Sequence, residues 1–257
     1  MVSPSNKEAG SYQSVIRIAF CGRPMDRDLK LGRFDTVSIA GTAVFGALAL
    51  ILGAASQALG LNFPIIPYLQ FDLGEVAIVL AFFIFGPAPA AASSFVEFLG
   101  LMVFGQQIPV GPLLKLFALL SSVAGLWLGS KTASRWSRAG LGGMVSMGGS
   151  VGALTRAAVM TLPNFYLIVF LYSIAGIEGF LKAPFAAIGI VLTDANALAL
   201  VLGFTALFNV LQLDFVVAVS YLVLRVPSVS NVKAGGKAPW FTMVLRANSA
   251  ESPDSLR

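Results

Sequence analysis

A segment of 26 residues from Thr36 to Leu61 contains neither a charged residue nor a proline, and it limits the possible folds more than any other feature. A helix rises about 1.5 Å per residue and a bilayer core is about 30 Å thick, so about 20 helical residues span it. Further apolar stretches follow as far as Arg225. Hydrophobic residues make up 57% of the chain and charged residues 11%, which is typical of a membrane-embedded helical protein. We therefore expect an all-α membrane protein.

The apolar stretches predict six transmembrane helices, over residues 36–59, 74–86, 89–105, 112–130, 146–177 and 195–224. The second is short for a full crossing. The two prolines of Gly86-Pro87-Ala88-Pro89 predict a helix break and a tight hairpin between the second and third helices. The proline-rich, apolar segment Asn62–Phe71 predicts a cap on the outer face. Two GxxxG pairs, Gly125/Gly129 and Gly148/Gly152, predict close helix approach.

The basic residues predict the orientation of the bundle. Of 17 Lys and Arg residues, six precede the first span, three follow the fourth and five lie at or after the end of the sixth. The positive-inside rule then places both termini in the cytoplasm, with the chain in the cell membrane. This asymmetry explains the net charge of +5 and disfavours nucleic-acid binding. The predicted organisation is a basic N-terminal segment (1–34), a six-helix domain (35–226) and a cytoplasmic tail (227–257) that is disordered apart from the short apolar pair Trp240-Phe241.

Residue types that the sequence lacks or nearly lacks limit the kinds of site the protein can contain. The sequence has no His, and Cys21 is its single cysteine, which argues against disulfide frameworks, Cys/His zinc sites and His-based catalysis. The carboxylates inside the spans are scattered, so a membrane enzyme is disfavoured, and we expect neither a metal nor a cofactor. Transport and a structural or assembly role in the membrane remain as the two alternatives.

Away from the ends of the predicted spans, four ionisable side chains lie inside them, namely Glu97, Lys115, Arg156 and Asp214. Each costs about 3 kcal/mol at the bilayer centre when it is unpaired, so we expect pairing or a wet cavity. Counting residues from the turn between the third and fourth helices places Glu97 within reach of Lys115. If Asn164 and Asn209 lie level, Arg156 and Asp214 differ in depth by about 4.5 Å. The alternative is that Arg156 extends to the cytoplasmic surface and Asp214 faces water.

Uncharged polar groups converge in the fifth and sixth helices. Thr205, Asn209 and Gln212 follow i, i+4, i+7 spacing, which puts them on one helix face, and Asn164 follows Pro163 in the fifth helix. Carboxamides both donate and accept hydrogen bonds, so such a face suits a flat, neutral ligand rich in heteroatoms. Interhelical hydrogen bonding is the alternative role of these side chains.

Several short motifs carry a resemblance to a known family. They are FPIIPYLQFDLGE at 63–75, Phe85-Gly86-Pro87, Val110-Gly111-Pro112, LPNFY at 162–166 and FNVLQ at 208–212. In these motifs the chain resembles the substrate-binding S components of energy-coupling factor (ECF) transporters, and among them the riboflavin-specific members. The resemblance covers nearly all of residues 36–226. It implies six helices with both termini inside, vitamin capture from outside under a lid formed by the loop after the first helix, and transport powered by a transmembrane coupling protein and two ABC-type ATPases.

The same resemblance implies roles for individual residues. Asn164 and Asn209 stand where the riboflavin members hold asparagines that bond the isoalloxazine ring. Gln212 replaces a lysine, Glu97 begins a Glu-Phe pair in place of Lys-Asn, and Lys115 replaces an asparagine. A flavin or another planar vitamin therefore stays open as the ligand. The predicted substrate-binding set is Tyr68, Glu97, Lys115, Asn164, Thr205, Asn209 and Gln212. On the first helix, Ala43 and Ala47, extended by Gly46, are predicted to face the coupling protein.

Overall fold

The computed structural model describes residues 35–105, 108–134, 140–175, 178–193, 195–230, 236 and 238–250. Within these ranges the chain is almost entirely helical, with one isolated β-bridge between Asn62 and Gln70. The helices are α1 (Thr36–Ala58), α2 (Gly74–Phe85), α3 (Pro87–Phe104), α4 (Val110–Ser134), α5 (Leu141–Ala175), α6 (Glu178–Ala187), α7 (Ala197–Arg225), α8 (Pro227–Ser230) and α9 (Trp240–Ala250). The predicted basic segment 1–34 lies outside the described residues.

Five helices, α1, α3, α4, α5 and α7, are long and apolar enough to cross a membrane. The predicted second span is α2, which has only 12 residues and is about 18 Å long. It is apolar on all sides, and every residue except Leu80 is buried, because α1, α3, α4, α7 and α9 all pack against it. Helix α2 is therefore a central core helix of the bundle.

The ends of these helices follow from local sequence chemistry. Asp35 caps α1: its carboxylate accepts from the Ser38 backbone N–H at 2.9 Å, and the Ser38 hydroxyl accepts from the Asp35 N–H at 3.0 Å. Gly86 separates α2 from α3 with φ at 105°, a conformation that side chains disfavour, and Pro87 then begins α3. The predicted break and hairpin at this point are confirmed.

Small residues set the distances between helices. In the contact between α4 and α5, a Cβ added to Gly125 would lie 2.6 Å from the Gly152 Cα, and one added to Gly129 would lie 2.7 Å from the Gly148 Cα. The two GxxxG pairs therefore face each other, and the close helix approach that the sequence predicts is confirmed. Helix α1 buries a second small-residue stripe against α2 and α3, made of Ser38, Thr42, Gly46, Ala49, Gly53 and Ser56.

The buried apolar side chains form two clusters. The main cluster lies among α1 to α5, α7 and α9. The first-loop cluster joins the loop of residues 59–73 to α6 and to parts of α5 and α7; its buried members are Phe63, Ile66, Ile168, Leu181, Phe185, Leu192, Ala197, Val201 and Phe208. The first loop is thus packed on the helices through its own side chains.

Part of the predicted disordered tail is ordered. Residues 240–250 form α9, whose Trp240 and Phe241 are almost fully buried against the end of α2. The Trp240 and Phe82 ring centroids are 5.2 Å apart. Helix α2 has only 12 residues, and α9 packs against it. Helix α9 therefore covers aromatic side chains of α2 that would otherwise be uncovered. Helix α6 is likewise absent from the sequence prediction, which treats residues 178–194 as a connection.

Candidate functional site

The predicted polar face of α7 points into the bundle. Thr205, Asn209 and Gln212 are all buried, with exposed fractions of 1%, 4% and 0%. The Asn209 amide donates to the Thr205 carbonyl at 2.9 Å, and its Oδ1 accepts from Arg156 Nε at 3.0 Å. Asn209 is therefore satisfied within the protein and fixes the Arg156 side chain.

Arg156 on α5 pairs with Glu75 at the start of α2. Arg156 Nη2 donates to Glu75 Oε1 at 2.9 Å, Nη1 donates to Glu75 Oε2, and both side chains are almost fully buried. Arg156 Nη1 also lies 3.4 Å from the Ser122 hydroxyl. A bidentate pair of this kind is the geometry in which a buried guanidinium is best compensated.

The predicted pairing of Arg156 with Asp214 is wrong. Arg156 bonds Asn209, and Asp214, five residues further along α7, points about 140° away from Asn209 at about 100° per residue. Asp214 is accordingly exposed. Asn164 lies about two turns further along α5 than Arg156.

A second ionic cluster contains the predicted pair. The Lys115 ammonium on α4 contacts the Glu97 carboxylate on α3, which confirms that pairing, and it also contacts the Asp72 carboxylate at the end of the first loop. Asp72 Oδ1 also accepts from the N–H of Gly74, the first residue of α2, at 2.6 Å. Gly53 lies beside this cluster, where a Cβ would be 3.4 Å from Lys115 Nζ.

Gln212 holds the same loop residue by its backbone. Its Nε2 donates to the Asp72 carbonyl at 2.9 Å, and its Oε1 accepts from the Asp72 N–H at 3.4 Å. The Ser56 hydroxyl on α1 accepts from the Leu73 N–H at 2.8 Å. The end of the first loop is therefore anchored to α1, α4 and α7 together.

Sequence reasoning missed Asp72 and Glu75 as members of these clusters. Asp72 precedes the predicted second span and Glu75 is the second residue of that span, so neither lies at a depth where the sequence predicts a buried charge. The available signal is the position of the two acidic residues: Asp72 lies two residues before the helix, and Glu75 is the acidic residue in the first turn of an otherwise apolar helix. Because α2 begins inside the bundle, its first turn lies at the depth of the other charges.

Towards the first loop, the site becomes aromatic. Phe71 and Phe63 both pack on Phe208 of α7, with ring centroids 5.2 and 5.4 Å from it. The Tyr68 hydroxyl lies beside the Thr205 hydroxyl, and neither atom makes a hydrogen bond of normal geometry to any described residue. Burial raises the pKa of the Tyr68 phenol, and the neighbouring Thr205 hydroxyl offsets part of that effect.

Asn164 is buried but stands apart from both ionic clusters. Its Nδ2 donates to the Met160 carbonyl of its own helix at 2.7 Å. Ile168, one turn further along α5, belongs to the first-loop cluster. The structure thus brings Glu97, Lys115 and Gln212 together around Asp72, Asn209 onto Arg156, and Tyr68 beside Thr205, while Asn164 bonds within its own helix.

The face of α1 predicted to meet a partner is only partly free. Ala43 and Ala47 are exposed. Gly46 is buried, and a Cβ there would lie 2.6 Å from Val96 and 3.0 Å from the Ser93 carbonyl oxygen of α3. The assignment of Gly46 to the partner face is therefore wrong: residue 46 lies one position from Ala47, so it points to a different side of the helix.

Comparison with known proteins supports the fold. No protein-family model matches the sequence, and no curated protein matches it. The chain is similar to a solved structure described as the S component of a bacterial ECF transporter, with a TM-score of 0.52 and 19% sequence identity. The similarity covers 73% of this chain and 93% of the other. The fold is thus that of an ECF S component, in a chain with five helices suited to crossing a membrane.

Proposed function

We propose that this protein is the substrate-binding subunit of an ECF-type vitamin transporter and that it is not itself an enzyme. The observation that carries the proposal is the fold shared with an S component over 73% of the chain. The closed first loop adds to it, because that loop packs over a buried polar face of α7 in the manner of a lid. ATP hydrolysis then belongs to partner chains.

We propose riboflavin or a related flavin as the ligand, bound between the first loop and α5 to α7. Phe63, Phe71 and Phe208 offer aromatic faces on which a flat ring system stacks favourably. The adjacent Tyr68 and Thr205 hydroxyls are buried polar atoms without a normal partner among the described residues, so a ligand edge that donates and accepts hydrogen bonds would satisfy them. Asn164 lies on the same side of the bundle.

Another planar vitamin is the second candidate, and one observation favours it. The Asn209 carboxamide, which stands where the resemblance implies an asparagine bonded to the flavin ring, is bonded to Arg156, and the Gln212 carboxamide is bonded to Asp72. A ligand that forms its hydrogen bonds mainly with Tyr68, Thr205 and Asn164 needs fewer hydrogen-bonding atoms than an isoalloxazine ring offers. Both candidates leave the transport role unchanged.

The proposed partners are a transmembrane coupling protein and two ABC-type ATPases. Ala43 and Ala47 on α1 are exposed and small, so a partner helix can approach this face closely. A structural or assembly protein, the competing class, would have neither a ligand nor an ATPase partner.

Mass spectrometry of small molecules released from the detergent-purified protein tests the proposal directly. We expect a flavin, or another planar vitamin, at up to one molecule per chain, and quenching of added riboflavin fluorescence by the aromatic first loop. Failure to bind any flavin at micromolar concentration would exclude the flavin assignment. Absence of any bound vitamin, together with failure to co-purify a two-ATPase module, would exclude the transport role as well.

A further inference from the structure

Two consecutive residues of the first loop connect its aromatic side chains to a buried ionic cluster. Phe71 packs on Phe208, while Asp72 pairs with Lys115. Consecutive Cα atoms are about 3.8 Å apart. The Asp72–Lys115–Glu97 cluster therefore begins one residue along the chain from Phe71, whose ring packs on Phe208.

The charges of this cluster do not balance. The carboxylates of Asp72 and Glu97 share the single ammonium of Lys115, so the ionised cluster carries an excess negative charge. The neighbouring Gln212 carboxamide is already bonded to the Asp72 backbone and is uncharged. The other buried ionic pair, Glu75 with Arg156, is neutral in sum.

The cluster is also incompletely hydrogen-bonded, and part of it can be reached. Glu97 is fully buried, and its Oε2 has no hydrogen-bond partner among the residues that the structure describes. The side chains of Lys115 and Asp72 keep exposed fractions of 18% and 17%. A buried carboxylate oxygen accepts hydrogen bonds only, so a donor supplied by a ligand would satisfy it.

We propose that the Asp72–Lys115–Glu97 cluster binds the polar end of the ligand through hydroxyl or ammonium donors and discriminates against a phosphate ester of the same ligand. This inference rests on the proposed function. A phosphate group carries a charge of about −1.5 to −2 near neutral pH and offers mainly acceptor oxygens. At this place it meets an excess negative charge or requires Glu97 to take up a proton, and both weaken binding.

Riboflavin and riboflavin 5′-phosphate are the probes that test the inference, because they differ only at the polar end. Affinities are measured by flavin fluorescence quenching on the full-length protein in detergent. We expect the phosphate to bind at least about tenfold more weakly. Glu97→Gln removes one negative charge with little change of shape. It is expected to lower the ratio of the two dissociation constants, riboflavin 5′-phosphate over riboflavin, several-fold, mainly because the phosphate then binds more tightly.

Two further variants control for indirect effects. Asp214→Asn removes a carboxylate on the exposed side of α7 and is expected to leave the ratio unchanged. Asp72→Asn removes the second carboxylate of the cluster and is expected to lower the same ratio of dissociation constants. This variant tests the selection against phosphate if the Glu97→Gln protein does not fold.

The outcomes separate this inference from the proposed function. Equal affinity of the wild-type protein for the two flavins would overturn the selection against phosphate while leaving the flavin function in place. An equal loss of both affinities in a folded Glu97→Gln protein would show that Glu97 does not distinguish the two polar ends. Binding of neither flavin to the wild-type protein would overturn the flavin assignment and this inference with it.

Discussion

At the scale of single residues, the buried charges are held by partners from different helices. Glu75 and Arg156 form a bidentate pair between α2 and α5, and Asn209 of α7 accepts from the same guanidinium. An ion that is removed from water needs this compensation, because a charge left alone inside a bundle is strongly unfavourable. The pair therefore fixes the relative position of three helices.

The Glu75–Arg156 pair predicts a non-additive mutation series. Glu75→Ala leaves a buried guanidinium unpaired and is expected to lower the free energy of unfolding by about 3–5 kcal/mol. The double change Glu75→Leu with Arg156→Met removes both charges and fills the space, so most of the lost stability is expected to be restored. Denaturant titration in mixed micelles measures both. A double variant as unstable as the single one would contradict the pairing.

Substitutions at Thr205 and at Asn209 are expected to differ in their effects on vitamin affinity and on stability. Thr205→Val removes a hydroxyl that lacks a normal hydrogen bond, so we expect weaker vitamin binding, by about 1–3 kcal/mol, with stability nearly unchanged. Asn209→Leu also removes the acceptor of Arg156 Nε, so it is expected to lower both vitamin affinity and stability. Affinity by fluorescence titration and stability by thermal unfolding separate the two. Unchanged affinity in the Thr205 variant would remove that residue from the site.

At the scale of helices, neighbouring positions on α1 serve different contacts. The stripe that includes Thr42, Gly46 and Gly53 is buried within the bundle, while Ala43 and Ala47 are exposed. The Ser93 hydroxyl of α3 donates to the Thr42 carbonyl at 3.1 Å, which is possible because the side chains between α1 and α3 are small.

Substitutions on the two faces of α1 are therefore expected to have separate consequences. Ala43→Trp or Ala47→Trp is expected to abolish ATP-driven uptake and co-purification of the coupling protein, because bulk prevents close approach of a partner helix, while vitamin binding stays intact. Gly46→Leu is the matched control: it forces α1 away from Val96 and is expected to destabilise the isolated protein. Loss of vitamin binding in both alanine variants would mean that this face is internal packing.

At the scale of the whole molecule, the C-terminal helix completes the bundle. Helix α2 is about 18 Å long and ends at Phe85, and the Trp240 and Phe241 side chains of α9 cover it there. The first loop covers the opposite end of the bundle through its own apolar cluster. Both ends of the central helix are thus closed by segments that do not span the membrane.

Trp240 is expected to contribute strongly to stability even though it follows the last long helix. Trp240→Ala removes an almost fully buried aromatic side chain and is expected to cost about 3–5 kcal/mol. Met243→Ala, at a half-buried position of the same helix, is expected to cost clearly less. Thermal unfolding of the two variants compares them. Equal stability of the Trp240 variant and the wild type would mean that α9 is not held on α2 in solution.

The sequence by itself determined the helical membrane class, five of the six predicted spans as long apolar helices, the break at Gly86-Pro87, the close approach at the GxxxG pairs and the contact between Glu97 and Lys115. These follow from apolar length, from proline and glycine geometry, and from distances counted along helices joined by a short turn. Only the tertiary structure decided that Arg156 pairs with Glu75, that Asp72 joins Lys115, that Gly46 is buried and that α9 closes the bundle. The rotation and relative depth of helices distant in sequence are set by the packing of all of them together, and counting along one helix does not contain that information.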